Sequence, residues 1–341
     1  MLMHGSMYSR VALTCPLSEN RMRETDMSDF LQHLKAGKPL ILDGATGTEL
    51  DRRGVDTSLP LWSARALITA PKVVRQIHVD YIHAGADIVT TNTFRTHRRT
   101  LTRAGIGART RELTQLAAQL AREAASQADR KVFVAGSMSP LEDCYSPDLV
   151  PPDAELRVEH REIAVDLADA GCDGLLVETM NSIREAVIAV EAAQSTGLPV
   201  LVSFVVGPDG QPPDRVIVNS AAMHVPLRLL SGESITAAVH AVKDLKPAAI
   251  MVNCVPLAFI GDALEELRAA RPIPIGLYAN VGHADDTIGW ALTDDVQPEA
   301  YAEHAQRWIE RGATIVGGCC GTSPAHIAAL KQQIDKDTAT Q

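Results

Sequence analysis

The stretch GLLVETMNSIREAVIAVEAAQSTGLPVLVSFVV, residues 174–206, contains the repeating unit that decides the fold. Its two ends, 174–180 and 199–206, are short apolar runs of the kind found in strands that are buried on both faces. Between them, 182–195 has the apolar spacing of an amphipathic helix, and Ser182 is a suitable N-cap. Two such strands joined through a helix form a βαβ unit, in which the strands are parallel.

The same alternation continues along the chain and predicts eight strands and eight helices. The predicted strands are 39–45, 87–94, 131–137, 174–180, 199–206, 248–255, 274–281 and 314–320. The predicted helices are 72–84, 110–126, 155–170, 182–195, 233–245, 260–270, 298–311 and 324–335. Eight βα units in about 300 residues close most simply as a single-domain α/β fold, the (β/α)8 TIM barrel. A doubly wound open sheet is the structural alternative.

Composition limits the classes of protein to which the chain can belong. The 341 residues carry a formal net charge of −10, and 46% of them are hydrophobic. An acidic chain without a long basic run argues against nucleic acid and anionic membrane surfaces as partners. We find no apolar run of the roughly 18 residues that a membrane span requires. Six cysteines without the spacing of a disulfide scaffold fit a reducing compartment, so we expect a cytoplasmic protein.

The chain is expected to have three segments. Residues 1–28 lack the apolar region and cleavage site of a secretory signal, and we expect them to form a loosely ordered extension. Residues 29–335 are assigned to the barrel, and residues 336–341 to a short C-terminal tail.

One connection, 207–232, is unusually long. It joins the fifth predicted strand to the fifth helix, where such loops typically have roughly 2–6 residues. A long loop at this face of a barrel usually serves function or an oligomer contact. Within it, 216–220 and 225–230 are predicted to pair as a hairpin.

Three cysteines are predicted to lie at the carboxyl ends of barrel strands, where the chemistry of this fold takes place. Cys254 ends the sixth predicted strand, and Cys319 and Cys320 end the eighth. Three thiolates from nearby strand ends suit the soft, tetrahedral preference of Zn²⁺ and leave its fourth position for water or substrate. The structural alternative is that these cysteines are small, inert core residues.

Five motifs, in chain order and at strand ends, carry a resemblance to a known family: DGATGTEL (43–50), TTNTF (90–94), VETM (177–180), VNC (252–254) and GGCCGTSPAHI (317–327). Over roughly residues 38–333 the chain resembles the homocysteine S-methyltransferase family of zinc-dependent (β/α)8 barrels. That family includes betaine-dependent enzymes and the homocysteine domain of cobalamin-dependent methionine synthase. The resemblance implies that Cys254, Cys319 and Cys320 bind zinc, and that the thiolate of L-homocysteine is methylated to form methionine.

The resemblance also implies where homocysteine binds. Asp43 and Glu178 match the acidic positions that receive its amino group, and Gly44 and Ala45 match a turn near its carboxylate. An ammonium group needs an anionic partner, and backbone N–H groups of a glycine turn can bind a carboxylate. The alternatives are a loop hydrogen bond for Asp43 and an interior ion pair for Glu178. Asn92 is a further substrate-binding candidate, with a role in tying rim loops together as its alternative.

The methyl donor is expected to be a cation, for which aromatic rings are suitable partners. Trp62, which matches a tryptophan of the family's first rim loop, and Phe94 are the candidate donor contacts. Arg95 stands where betaine-using relatives have tyrosine, which favours S-methylmethionine or S-adenosylmethionine as donor. A betaine-dependent enzyme and one supplied by a corrinoid partner protein are the alternatives.

Two further classes are less favoured: a zinc hydrolase, which would use histidine and carboxylate ligands, and a non-catalytic barrel, whose structural zinc would have four protein ligands. The expected partners are therefore small molecules, and a homo-oligomer is compatible with the sequence.

Overall fold

The computed structural model describes residues 29–212, 226–270, 273–285, 289–291 and 297–340, and its centre is a sheet of eight parallel strands. The strands β1 to β8 are Leu40–Ile41, Ile88–Thr90, Phe133–Met138, Gly174–Met180, Val200–Phe204, Ala249–Pro256, Ile275–Asn280 and Ile315–Gly318. The helices that follow them, α1 to α8, are Pro71–Ala84, Thr110–Ala125, Asp153–Asp169, Ile183–Gln194, Ile235–Val242, Leu257–Ala270, Pro298–Glu310 and Pro324–Thr340. All the predicted strands and helices are therefore present.

The eight strands close into a barrel. Parallel pairing runs from β2 in chain order to β8 and from β8 to β1. The gap between β1 and β2 is closed where Leu42 pairs in parallel with Ile88. There Asp43 N–H donates to Ile88 O at 2.9 Å, and Asp87 N–H donates to Ile41 O at 2.7 Å. The predicted (β/α)8 barrel is confirmed, and the open sheet is excluded.

Apolar side chains fill both sides of the barrel wall. One cluster lies inside the barrel and includes Leu40, Phe133, Leu176, Leu201, Met251 and Ile315. Residues 29–35 are helical, and their fully buried Phe30 joins this interior cluster. Gly174 makes room for that ring, because a Cβ there would lie 2.8 Å from Phe30 Cε1. Burying each such side chain contributes roughly 1.5–3 kcal/mol, so the interior cluster is a major stabilising element.

Local sequence signals set the helix ends. Ser182 caps α4, because its Oγ accepts a hydrogen bond from Glu185 N–H at 3.4 Å. Pro71 and Pro298 are the first residues of α1 and α7. Proline is favourable there, because the first N–H groups of a helix make no intrahelical hydrogen bond. α1 is followed by Gly85, whose left-handed φ of 111° favours glycine. None of the helices in the described ranges combines the length and apolar character that a bilayer crossing requires.

The helical content also differs from the prediction at the C-terminus and in the rim loops. α8 continues to Thr340, so most of the predicted tail 336–341 extends this helix, since no Gly or Pro follows Pro324 to end it. Three short helices in rim loops were not predicted, because they are too short to show a helical period: Gly47–Arg52, Arg65–Thr69 and Arg98–Arg103.

The long connection after β5 contains a hairpin whose first strand precedes the predicted one. Leu227–Leu229 pairs antiparallel with Val206–Pro208, which lies directly after β5. The predicted partner strand 216–220 lies outside the described residues, as does the expected extension 1–28.

Candidate metal and substrate site

A cavity of about 870 Å³ opens at the carboxyl ends of the barrel strands. Its lining comes from the ends of β1, β2, β3, β4, β6, β7 and β8 and from the rim loops that follow β1, β2 and β3. All the predicted site residues line it: Asp43, Gly44, Ala45, Trp62, Asn92, Phe94, Glu178, Cys254, Cys319 and Cys320. The structure therefore brings together side chains that lie far apart in the sequence, from Asp43 to Cys320.

The three cysteines form a cluster in this cavity. The Sγ atoms of Cys254, Cys319 and Cys320 lie within 4.8 Å of one another, and those of Cys254 and Cys320 are 3.9 Å apart. A tetrahedral zinc with Zn–S bonds of about 2.3 Å separates its sulfur ligands by about 3.8 Å. Among the described residues, no histidine or carboxylate belongs to this group. The donor set fits a soft divalent ion that keeps one coordination position for another ligand.

A β-bulge turns Cys254 toward the cluster. Along β6, Met251 packs in the barrel interior and Val252 packs outside it, so strict alternation would also point residue 254 outward. Instead, the register with β7 shifts between Asn253 and Pro256, and Cys254 has a left-handed φ of 60°. A bulge re-aims a side chain in this way, and the conformation costs about 1–2 kcal/mol in a residue other than glycine.

Two neighbours contact the sulfur atoms. The Tyr145 hydroxyl lies 3.3 Å from Cys254 Sγ, and Asn253 Nδ2 lies 3.9 Å from Cys319 Sγ. The Asn253 amide is itself held in place, because its Oδ1 accepts from Ser203 Oγ at 2.6 Å. Hydrogen bonds from the Cys319 and Cys320 thiols hold the pKa of Cys254 well below its usual value. Tyr145 was missed by the sequence analysis, because nothing marks a single tyrosine in a loop.

Asp43 lies two residues after β1, and its carboxyl group is buried. Its side chain accepts hydrogen bonds from Thr90 N–H at 2.8 Å and from Thr90 Oγ1 at 3.0 Å. Burial, together with a smaller effect of the Glu178 charge, raises the pKa of Asp43 to about 8, against the lowering effect of these hydrogen bonds. A cation bound beside Asp43 would favour its ionised form.

Glu178, near the end of β4, is the second of the two predicted acidic site residues. Tyr278 OH donates to its Oε2 at 3.2 Å, and the Ser137 hydroxyl donates to its Oε1. Removal from solvent raises the pKa of Glu178 to about 7. Within the described residues, no Lys, Arg or His forms a salt bridge with Glu178, so the interior ion pair is not observed. Ser137 was not among the predicted site residues, because no motif marks it.

The turn at Gly44 and Ala45 packs tightly against the loop after β8. Ala45 N–H donates to Thr322 Oγ1 at 3.2 Å, and Ala45 O accepts from the Tyr81 hydroxyl at 2.9 Å. A Cβ on Gly44 would approach Thr322 Oγ1 and the Tyr81 ring to 2.8 Å. Glycine is therefore required sterically here. The Ala45 amide is already engaged, and a carboxylate-binding role for this turn stays a prediction.

Aromatic and polar side chains form the wall near β2. The rings of Trp62 and Phe94 meet edge to face with their centroids 5.8 Å apart, and the Arg95 guanidinium carbon lies 5.7 Å from the Phe94 centroid. Asn92 Nδ2 donates to Ser63 O at 2.9 Å, so this side chain ties two rim loops together. That contact matches the structural alternative considered for Asn92.

Replacing Asp43 with asparagine is expected to stabilise the metal-loaded protein in the absence of homocysteine, and increasingly so as the pH rises from 5 to 8. In the unfolded chain Asp43 has the ordinary aspartate pKa of 3.8, whereas in the folded protein its pKa is about 8. Wild-type stability therefore falls over this interval, and the asparagine variant lacks that loss. We expect a gain of at least about 1.4 kcal/mol at pH 8, the equivalent of one pKa unit.

Thermal or urea unfolding at both pH values measures this gain. A difference between the two proteins that is the same at pH 5 and pH 8 would contradict a raised pKa at Asp43.

The fold and the cavity define a class of protein: a (β/α)8 barrel with three clustered cysteines that could hold a metal ion and two carboxyl groups, Asp43 and Glu178, that form no salt bridge among the described residues. A family model described as homocysteine S-methyltransferase matches residues 40–334. The chain belongs to the homocysteine S-methyltransferase family, and it is therefore a methyltransferase.

Individual relatives agree with this assignment. Homocysteine S-methyltransferase YbgG of Bacillus subtilis is 30% identical over 318 residues, covering 88% of this chain and 96% of the relative. Selenocysteine methyltransferase of Astragalus bisulcatus is 29% identical and covers 89% of this chain and 94% of the relative. The metallated homocysteine methyltransferase MmuM from Escherichia coli superposes with a TM-score of 0.72 at 27% identity, covering 89% of this chain and 99% of MmuM.

Proposed function

We propose that this protein transfers a methyl group from a cationic donor to the thiolate of L-homocysteine, forming methionine, with Zn²⁺ held by Cys254, Cys319 and Cys320. The observation that carries the proposal is the placement of three thiol sulfurs within 4.8 Å of one another in the cavity that also contains Asp43 and Glu178. A thiol-containing amino acid presents both a sulfur and an ammonium group, and this cavity has a suitable partner for each.

Zinc suits the cysteine cluster better than a hard cation, because thiolates are soft ligands. Zn²⁺, when bound, would favour the thiolate form of homocysteine at neutral pH, although a free thiol has a pKa of about 8.5. The protein's own contribution is to hold the three ligands in place, through the bulge at Cys254 and through Asn253 beside Cys319.

The absence of histidine and carboxylate from this cluster, within the part of the chain described, argues against a zinc hydrolase. A structural zinc would usually have four protein ligands, whereas the described residues supply three, all of them cysteines.

Asp43 and Glu178 are proposed to bind the ammonium group of homocysteine. Both carboxyl groups have a raised pKa, about 8 for Asp43 and about 7 for Glu178, because they are removed from solvent and have no cationic partner among the described residues. An ammonium placed between them would favour both ionised forms and form charge-assisted hydrogen bonds. The amino acid would thereby be fixed at one end, so that its sulfur is presented to the cluster in a constant position.

Several features support a cationic methyl donor. The described lining contains five acidic residues, Asp43, Asp51, Asp56, Asp143 and Glu178, against one arginine. The edge-to-face pair of Trp62 and Phe94 offers aromatic surface to a positive sulfur. We favour S-methylmethionine or S-adenosylmethionine, with betaine or a corrinoid partner protein as the alternative methyl source.

A methyl-donor panel tests this assignment. With zinc-loaded protein and homocysteine, methyl transfer from S-methylmethionine is expected to exceed that from betaine at matched concentrations. The reason is that Arg95 occupies the position where betaine-using relatives have tyrosine. The readout is the homocysteine consumed, because S-methylmethionine itself becomes methionine when it loses its methyl group. Faster turnover with betaine, or turnover only with a methylated corrinoid protein, would overturn the donor assignment.

We also infer a cytoplasmic location. The described cysteines, Cys144, Cys172, Cys254, Cys319 and Cys320, are all free, and a thiolate metal site requires reduced sulfur.

A further inference from the structure

The segment 95–103 contains four arginines, and one of them differs from the others. Three form ion pairs with carboxylates of neighbouring elements: Arg98 with Glu162, Arg99 with Glu159 at 2.6 Å, and Arg103 with Glu142 at 2.6 Å. For Arg95, no carboxylate of the described residues lies within salt-bridge distance, and its buried Nε has no hydrogen-bond partner. Arg95 is therefore a guanidinium that the described fold leaves without an anion.

Arg95 lines the cavity next to the aromatic pair. It is the one Lys, Arg or His among the described lining residues. Its guanidinium lies 5.7 Å from the Phe94 ring centre, and Phe94 in turn contacts Trp62. The cation is thus held beside the surface that the proposed function assigns to the methyl donor.

A positive donor beside an uncompensated guanidinium would be repelled, and the low polarity of an apolar wall would strengthen this repulsion. An anionic group attached to the donor removes the conflict, because it pairs with the guanidinium while the onium centre faces the aromatic rings. Guanidinium groups bind carboxylates with two parallel hydrogen bonds, which also fixes the orientation of the bound group.

We propose that Arg95 binds the carboxylate of the methyl donor, so that the enzyme selects zwitterionic onium carboxylates over simple onium cations. This inference rests on the proposed methyl transfer and specifies its donor class. It assigns Arg95 to donor recognition and leaves the amino end of homocysteine to Asp43 and Glu178.

The test compares two donors that differ only at the carboxylate. Zinc-loaded protein is assayed with homocysteine and either S-methylmethionine or its carboxamide, and kcat/KM for each donor is measured. The wild type is expected to prefer the carboxylate donor. Arg95→Gln is expected to reduce this preference roughly tenfold, the size of a charge-assisted contact at a partly exposed site, and Arg95→Lys to restore part of it.

Arg98→Gln is the matched control, because it removes an exposed arginine of the same segment that does not line the cavity. It should leave the preference unchanged, and zinc content and thermal midpoint should match the wild type for both glutamine variants. An equal preference in the wild type and Arg95→Gln would overturn the inference and leave methyl transfer intact. A raised KM for homocysteine alone would assign Arg95 to the acceptor and also overturn it. No methionine from any donor would overturn the proposed function together with this inference.

Discussion

Replacing Cys254 with serine is expected to reduce bound zinc from about one ion per chain to a small fraction of that, and methionine formation by more than about 100-fold. Loss of a residue that merely orients a metal ligand commonly costs about 10–100-fold, and a lost ligand should cost more. Serine keeps the size of the side chain but replaces a soft thiolate with a hydroxyl. Metal analysis of the purified protein and a methionine assay measure the two effects.

Cys172→Ser provides the control for this experiment. Cys172 is buried, precedes β4 in the sequence and does not line the cavity, so its replacement should leave zinc in place. The same losses are expected for Cys319→Ser and Cys320→Ser, because all three sulfur atoms belong to one cluster. Full zinc occupancy in all three single variants would refute the metal site.

Glu178→Gln is expected to raise the KM for homocysteine by about 10–150-fold while zinc stays bound. Glutamine keeps the shape of the side chain and can still accept the hydrogen bond from Tyr278 OH, but it lacks the negative charge. A hydrogen bond to a charged group contributes about 1.5–3 kcal/mol, which corresponds to this range. Steady-state kinetics with varied homocysteine and metal analysis of the same preparation measure the change.

A substrate analogue separates charge recognition from general damage to the cavity. 4-Mercaptobutyrate has the thiol and carboxylate of homocysteine but no amino group. The wild type should use it poorly, and Glu178→Gln should use it about as well as the wild type does. If Glu178→Gln binds homocysteine with unchanged affinity, the carboxylate has no part in substrate binding.

The barrel could be predicted from sequence because each unit repeats the same local signals. The strand predicted at 174–180 is observed as Gly174–Met180, and Ser182 caps the next helix as expected. Prediction was less accurate where strands enter the rim. The first strand is predicted at 39–45, but β1 contains only Leu40–Ile41. Leu42 adds a single bridge to Ile88, and the turn that begins at Gly44 lines the cavity instead of continuing the strand.

The site could be predicted in part, because in a (β/α)8 barrel the carboxyl ends of all the strands lie at the same face. The orientation of Cys254 could not, since alternation points it outward and only the bulge with φ of 60° turns it inward. Contacts between residues that are distant in the sequence also could not be predicted from local patterns. Tyr145 and Cys254, whose side chains lie 3.3 Å apart, are separated by 109 positions along the chain.

The closure between β1 and β2 gives Asp43 a mechanical role. β1 has two residues, and this junction is made by one bridge, that of Leu42 and Ile88. Next to this bridge, Thr90 N–H donates to the Asp43 carboxyl group, so a side-chain hydrogen bond adds to the contacts between β1 and β2. A ligand that contacts Asp43 would therefore bind directly to the junction between β1 and β2 that closes the barrel. Binding of a ligand at Asp43 is therefore expected to affect the hydrogen bond that joins the start of the barrel at β1 to its second strand.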